Sequence, residues 1–589
     1  MTKGKVCYRI AALCSCVLLA ALGAVRAEET NPRADALSPD VWRREHRLFD
    51  LHMHVEGLPE RYEQAARIMD AVGIGGGVEL GSGTVTPGKD GSSEFAKAQE
   101  TSAKACPGRF VHYMLLDYKG WDDQDWSKKA VEQVNEGHRR GAPGLKEFKR
   151  LGLMLRDGKG KLIKIDDPKL DPVWERCGEL GMPVSIHVGD PEAFWQPRDE
   201  KNERWDELRD HPGWWFGDPK KFPPRMELLE ALERVIERHP KTTFVCVHFG
   251  NNPEDIDWVD RQLDKHPNMN IDLAARIPEI GRRDTEKLRK FFVKHQNRIF
   301  FATDFQVWSK LILGSSGDDE RPTDHDAVVF FQKCYRFLET ADRDWAHMTP
   351  IQGKWTISSI NVPVEVQRKV YFDNARKLLA KSLPVPVLRA KHITSDFEPD
   401  GKLDDKAWSG AAPARIEYGL DDARARPDLS TCVRTLWSDK YLYLAFEAPY
   451  TELTMLENPG TKERFGLWKD DVVEFFVGTN AKSPQAYEEF EWAPNGERLD
   501  IKLALPDKDF DWQSGGESAV ALDRNAKIWR VEARIPLKAM ADESPTVGTR
   551  WRANLFRHDA ANKAFIAWNP SLTETTHTPE RFGVLEFAE

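Results

Sequence analysis

Between residues 48 and 305 the chain carries eight short apolar runs, separated by polar breaks and amphipathic stretches. The runs fall near 48–54, 76–80, 110–116, 144–148, 183–188, 243–248, 269–273 and 299–304. The amphipathic stretches between them include 61–72, 93–105, 127–140, 170–180, 225–238, 254–265 and 284–295. Short apolar runs of this kind read as strands buried on both faces, and stretches of period 3.6 as the helices that cover them. Eight such units predict an α/β fold, a (β/α)8 TIM barrel over 46–381. An open doubly wound sheet would carry a Gly-rich phosphate loop after its first strand, where this chain carries histidines. Beyond about residue 390 the period becomes two, in runs such as 431–437, 441–447, 471–477, 487–492 and 528–534. That predicts an all-β sandwich domain over 396–589. The Pro-spaced stretch Leu383-Pro384-Val385-Pro386-Val387 marks a linker over 382–395.

The first 27 residues have the pattern of a signal peptide: a basic head (Lys3, Lys5, Arg9), an uncharged apolar run from Ile10 to Val25, and Val25-Arg26-Ala27 before the expected cut. The mature chain is therefore expected to be exported, periplasmic or secreted. It has no second apolar run of the ~20 residues a membrane span needs. Three of eight cysteines leave with the leader; Cys106, Cys177, Cys246, Cys334 and Cys432 remain, widely spaced, with no CxxC pair. That excludes a disulfide framework or a cysteine zinc site. A net charge of −10 without a basic run argues against a nucleic-acid partner. Trp outnumbers Tyr, 20 to 11, which suits a protein that handles rings or sugars.

Chemistry-bearing residues collect at strand ends. The first strand reads FDLHMHVEG, and on a strand residues i and i+2 share a face, so Asp50, His52 and His54 point one way. His187, His248 and Asp304 close the apolar runs VSIHVGDP, FVCVHFGNNP and FFATDF. In a barrel the C-terminal strand ends build the active site. Buried-edge histidines and aspartates need partners, and one divalent metal serves all of them. Each alone also fits a hydrogen-bonded core group.

Order, spacing and local words resemble the amidohydrolase superfamily, in particular its amidohydrolase-2 branch, which holds aminocarboxymuconate-semialdehyde decarboxylase, resorcylate decarboxylases and sugar lactonases. The resemblance covers 46–381 and includes the closing word VYFDNARKLL at 370–379. It implies that His52, His54, His187 and Asp304 are ligands to zinc or another divalent metal. It implies that His248 and Asp304 are catalytic, His248 as the strand-six histidine that activates water or polarises substrate. Asp50 is implied to orient a ligand or the neighbouring backbone. This machinery hydrolyses esters, lactones or amides; in the decarboxylase members the same site releases carbon dioxide.

Two features stay open at this level. Lys146, in GLKEFK on the fourth strand, reads as a substrate-anion or structural lysine, or as a carbamylated bridge between two metals. The insertion 190–224, with Phe194, Trp195, Trp205, Trp214, Trp215, Phe216 and Phe222, reads as a lid over the barrel mouth or as a satellite core.

Residues 396–589 resemble family 9 carbohydrate-binding modules through DGKLDDKAW, VRTLWSDKYLYLAF, LWKDDVVEFF and RFGVLEF. The resemblance implies carbohydrate binding by Trp468, as an aromatic platform, and Glu474, as a hydroxyl acceptor. Where the family has a second stacking tryptophan, this chain has Thr576-His577-Thr578-Pro579. The combined expectation is an exported metal-dependent hydrolase of a carbohydrate-linked substrate, with a glycan partner for its second domain. The alternatives are a non-oxidative decarboxylase of an aromatic or unsaturated acid, and an inactive barrel serving as scaffold.

Overall fold

The computed structural model describes residues 38–380, 385–421, 423, 426–457, 463–573 and 575–589. The expected leader, 1–27, and residues 382–384 of the expected linker lie outside them. The described residues fall into two compact units that divide the chain between Leu383 and Pro384. No helix among them is long and apolar enough to cross a membrane.

Eight parallel strands form the first unit: β1 Leu48–Val55, β2 Ile74–Glu79, β3 Phe110–His112, β4 Leu145–Glu147, β5 Val184–Ile186, β6 Phe244–Cys246, β7 Met269–Asp272 and β8 Ile299–Phe300. They pair in the order β1-β2-β3 and β4-β5-β6-β7-β8. A bridge from Met114 to Leu145 joins the two runs. The ring closes where Leu51 N–H donates to Phe301 O at 3.0 Å and Asp304 N–H to His52 O at 2.9 Å. Every β1 residue is buried, as a strand with the barrel interior on one side and helices on the other requires.

The covering helices follow the expected period. Pro59–Val72 buries Tyr62, Ala65, Ile68, Met69 and Val72, begins on a proline and ends on Gly73 at φ 78°. A Cβ on Gly73 would meet the Arg43 backbone at 2.4 Å, so only glycine closes this helix. The eighth strand is shorter than its apolar run: it ends at Phe300. The chain resumes beside β1 as β9, Phe305–Val307, which pairs with β10, Leu311–Leu313. Asp304 sits in the gap at φ 58°.

The second unit is one long, mostly antiparallel sheet folded on itself. Its main strands are β11 Val387–His392, β12 Thr431–Trp437, β13 Tyr441–Pro449, β14 Val472–Gly478, β15 Ala486–Trp492, β16 Arg498–Ala504, β17 Glu517–Asp523, β18 Ile528–Pro536, β19 Arg550–Asp559 and β20 Gly583–Ala588. The order is β16-β15-β14-β19-β20-β11-β12-β13-β18-β17. Val473, Phe475 and Val477 of β14 meet Leu444, Phe446 and Val531 from the other half in the sandwich core. The opposite face of β14–β16 is buried too, beneath loops carrying Leu420, Leu467 and Phe582.

The linker expectation over 382–395 needs correction. Residues 387–392 form β11, paired in parallel with both β20 and β12. Leu388 and Ala390 are buried between the exposed Arg389 and Lys391, the period of a half-buried strand. The flanking Pro386 is compatible with this, because proline is tolerated at a strand's start; its carbonyl accepts Val584 N–H at 2.9 Å. The five cysteines are buried and unpaired.

Candidate metal centre

At the C-terminal rim of the barrel His52 Nε2 lies 3.7 Å and His54 Nε2 3.5 Å from Asp304 Oδ1. One ligand-type atom from each of the three lies within 4.8 Å of the others. The period-two geometry of β1 brings both imidazoles inward, and the turn after β8 delivers Asp304. Asp272, at the end of β7, accepts His52 Nδ1–H at 2.9 Å. Its other oxygen accepts the backbone N–H of His248 at 2.7 Å and of Ala274 at 3.2 Å. Holding the Nδ1 proton there leaves the Nε2 lone pair of His52 facing Asp304, the arrangement that orients a metal-ligating histidine.

Asp50 points to the backbone: it accepts the N–H of His52 at 3.0 Å and of Thr303 at 3.2 Å, and the Thr303 hydroxyl at 2.5 Å. It therefore ties β1 to the segment that carries Asp304. Gly81 packs behind His54. A Cβ there would stand 2.9 Å from Glu79 Oε1 and 3.3 Å from His54 Nδ1, so the backbone at Gly81 lies against both groups.

His248 follows β6 in a left-handed turn: His248, Phe249, Gly250 and Asn251 all have positive φ. A left-handed residue other than glycine costs about 1–2 kcal/mol, and such strain persists only where surroundings over-determine it. Here the Asp272 carboxylate holds the His248 N–H, and Asn251 Oδ1 accepts Val188 N–H at 2.9 Å. The turn aims the His248 ring at the centre, 5.1 Å from His52 and 4.3 Å from His187, centroid to centroid. His248 Nδ1 donates to Ala274 O at 2.8 Å, which leaves Nε2 as the open acceptor.

His187 is brought to His248 but stands outside the three-atom group. Its Nε2 donates to Gly189 O at 3.0 Å and lies 3.4 Å from Asp190, leaving Nδ1 as its lone pair. Asp190 in turn is paired with Lys149 and approached by Arg276 at 3.8 Å. Lys146 is fully buried, and its Nζ has no hydrogen-bond partner among the described residues; the Phe148 ring centroid is 5.3 Å away.

Burial dominates the electrostatics. It pushes the carboxyls of Asp50 and Asp304 up to about 7 and that of Asp272 up to about 6. Burial, with the charge of Lys146 nearby, holds His52, His54 and His248 well below the usual histidine range. It lowers Lys146 to about 8 against the pull of Asp272 and Asp304. Neutral imidazoles are the state in which their nitrogen lone pairs are free for a cation.

The aromatic insertion is a satellite core. Phe194 and Phe216 are buried. Trp195, Phe216 and Phe222 pack in sequence at 5.0 and 5.1 Å. Its anchor is Arg204, fully buried between Glu279 at 2.9 Å and Glu207 at 3.2 Å. In the sandwich, Glu474 is buried on β14. Trp468 packs with Phe465 and Phe510 at 5.1 and 6.0 Å. His577 hydrogen-bonds the Tyr487 hydroxyl at 2.7 Å. Sequence reasoning missed Asp272, Asp190 and Arg276; the one signal for Asp272 was a carboxylate closing the apolar run of β7.

Residues 102–381 match the amidohydrolase family, and residues 400–589 match the family described as carbohydrate family 9 binding domain-like. The first match takes in His187, His248 and Asp304 and begins after β2. An "extracellular protein" of Arthroderma benhamiae is 27% identical over 180 residues, 28% of this chain and 80% of its own. A family 9 carbohydrate-binding module from Caldicellulosiruptor kristjanssonii in complex with cellotriose is 16% identical, with a TM-score of 0.27 over 34% of this chain and 93% of its own. The 2,6-dihydroxybenzoate decarboxylase from Rhizobium is 17% identical, with a TM-score of 0.32 over 59% and 95%. By the two family matches, residues 102–381 belong with the amidohydrolase family and residues 400–589 with the carbohydrate family 9 binding domain-like family.

Proposed function

We propose that the chain is an exported, metal-dependent hydrolase that cleaves an ester, lactone or amide of a carbohydrate-linked substrate, with a sandwich domain that holds glycan. The observation that carries this reading is the convergence of His52 Nε2, His54 Nε2 and Asp304 Oδ1, with His52 fixed from behind by Asp272. Buried nitrogen and oxygen donors of this kind fit a divalent ion, zinc foremost. His52, His54 and Asp304 would hold it, and His187 offers Nδ1 as a further donor. When bound, such an ion supplies a Lewis acid and lowers the pKa of its water to ~7.

The chain's own groups do the rest. His248 is neutral, with Nε2 unengaged, so it accepts or returns a proton there. Asp304 accepts a proton at its carboxylate. Lys146 places a buried ammonium without a hydrogen-bond partner among the described residues beside the centre and draws the anionic part of a substrate. Export rests on the leader pattern of residues 1–27 and on the relative named extracellular. Glycan binding rests on Trp468 and Glu474 within the matched sandwich.

Lys146 also favours the second reading, a non-oxidative decarboxylase, because a buried ammonium without a partner suits a substrate carboxylate. One experiment separates the readings. The zinc-loaded protein is offered sugar lactones, sugar esters and aromatic acids, and both acid and carbon dioxide release are measured. Acid without carbon dioxide supports hydrolysis, and carbon dioxide release replaces it with the lyase reading. Neither product, with no stoichiometric metal bound, leaves the scaffold reading.

A further inference from the structure

From Asp304 onward the chain alternates. Phe305 and Val307 of β9 are buried, while Asp304, Gln306 and Trp308 turn to the other side. In the parallel pairing of β9 with β1, Gln306 stands beside His54. Gln306 therefore sits on the wall that carries the candidate metal ligands. Its amide bridges two neighbours: Nε2–H donates to Asp304 Oδ1 at 3.1 Å, and Oε1 accepts Trp308 Nε1–H at 3.0 Å. Asp304 Oδ1 is the oxygen that faces His52 Nε2 and His54 Nε2. Two hydrogen bonds thus connect the centre to an indole.

The residue type at 306 is dictated by its neighbours. A carboxylate only accepts and an indole N–H only donates, so the group between them must do both. A glutamine amide does so in one orientation, the one seen. A glutamate could hold the indole but would set a second carboxylate against Asp304.

Exposure rises along this row of groups. The His54 side chain is 8% exposed and that of Asp304 14%; Gln306 is half-buried and Trp308 is 38% exposed. The row is a wall of the barrel mouth, with solvent at one end and the ligands at the other. One amide and two hydrogen bonds separate the ends, a span short enough for one substrate to touch both. Single exposed apolar side chains are common and need no purpose. Trp308 differs in two respects. Its one polar atom is engaged by Gln306, so the indole offers carbon to water. Its orientation is also set by the residue that holds a candidate ligand, a link that a bystander would not need.

We propose that Trp308 is the barrel's platform for the ring of a carbohydrate substrate, and that Gln306 is a positioning residue that sets this platform in register with Asp304. The indole takes the apolar face of a pyranose or lactone ring, and the amide holds the carboxylate beside the bond to be cleaved. The inference rests on the reading of the centre as a hydrolase of carbohydrate-linked substrates, and it names the residue that selects for the ring.

The test uses the full-length, zinc-loaded protein with two ring-bearing probes, D-glucono-1,5-lactone and 6-O-acetyl-D-glucose, and one ringless ester, methyl acetate. The readout is the ratio of kcat/KM for each ring-bearing probe to that for methyl acetate, with KM and kcat resolved. Trp308→Ala is expected to lower the ratio about 3–10-fold, through KM. Trp308→Phe, which keeps a flat ring, should restore most of it. Gln306→Met should lower the ratio as well and, by releasing Asp304, weaken zinc about tenfold in chelator competition while the melting temperature stays at the parent value. An unchanged ratio in Trp308→Ala, with the parent active, would overturn the platform. Unchanged zinc affinity in Gln306→Met would overturn the positioning role. No hydrolysis of either ring-bearing probe by the zinc-loaded parent would overturn the hydrolase reading and this inference with it.

Discussion

Asp272 Oδ2 accepts the Nδ1–H of His52 at 2.9 Å, and the same carboxylate holds the backbone N–H of His248 through its other oxygen. One residue thus fixes the tautomer of a candidate ligand and the strained turn that presents a candidate acid–base group. Asp272→Asn is expected to weaken metal affinity about 10–100-fold, the usual range for a ligand-orienting carboxylate. Chelator competition followed by metal analysis measures this. Unchanged affinity would reduce Asp272 to a core hydrogen-bond acceptor.

Ligand and catalyst separate by their responses to truncation. The His52→Ala, His54→Ala double variant should lose the metal and all turnover and keep its far-ultraviolet circular dichroism. His248→Ala should keep the metal and lose roughly 10²–10⁴ in kcat, the range for general acid–base groups. Metal loss in His248→Ala would place it among the ligands, since its ring touches both His52 and His187.

What the chain discloses before folding follows from period. His52 and His54 were legible because a strand puts i and i+2 on one face, and because His187, His248 and Asp304 close later apolar runs of the same barrel. Asp272 was not, because a single aspartate closing an apolar run looks like any satisfied core carboxylate until the His52 ring is seen against it. His187 was legible as a strand-end histidine, but its orientation toward Gly189 and Asp190 depends on a loop that carries no period. The fold was readable in its alternation of strands and helices. Pro384 and Pro386 drew attention away from the Leu388–Ala390 alternation and hid a strand.

The insertion after β5 is anchored by charge. Arg204 is fully buried with Glu279 and Glu207, and its guanidinium carbon lies 5.4 Å from the Trp355 ring centroid. Breaking a buried pair leaves an uncompensated charge, a loss of about 3–5 kcal/mol. Arg282 and Arg283 also reach Glu279, so Arg204→Ala is expected near the lower end. Urea denaturation measures it. A loss under about 1 kcal/mol would show that the remaining arginines carry the anchor alone.

Three buried carboxyls of the sandwich, Glu474 on β14 with Glu489 and Glu491 on β15, predict a pH profile. Burial pushes Glu489 up to about 7, and burial with the neighbouring carboxylates pushes Glu474 and Glu491 well above the usual range. A folded-state value above the unfolded one means that the folded state binds more protons. This stability is fully present below an unfolded pKa of ~4.3 and is lost as pH rises through the folded values. His577, lowered to about 4 by burial, works oppositely between about 4 and ~6.5, and one histidine does not cancel three carboxyls. The sandwich should therefore melt on the order of 5 °C lower at pH 8 than at pH 5. Glu489→Gln with Glu491→Gln should flatten the curve. A profile identical in parent and variant would show that the three groups titrate normally.

The last prediction concerns where the second domain begins. β11 is central to the sandwich, hydrogen-bonded in parallel to β20 on one side and β12 on the other. Leu388 and Ala390 belong to its core. A fragment starting at 396, the boundary read from the sequence, would leave Thr431–Trp437 and Gly583–Ala588 each with an unpaired edge inside the sheet. It would also open a gap where two apolar side chains stood. Buried backbone groups without partners and a core void are each destabilising, and together they exceed what a domain of this size can spare. Residues 385–589 should therefore express as a soluble domain with a cooperative melt, whereas 396–589 should aggregate or melt without cooperativity. A peptide covering 385–395, added in trans, should restore part of the fold by supplying the missing strand, as strand addition does elsewhere. Equal melting temperatures for the two fragments would show that β20 and β12 close on each other without β11, and would return residues 382–395 to the role of a linker.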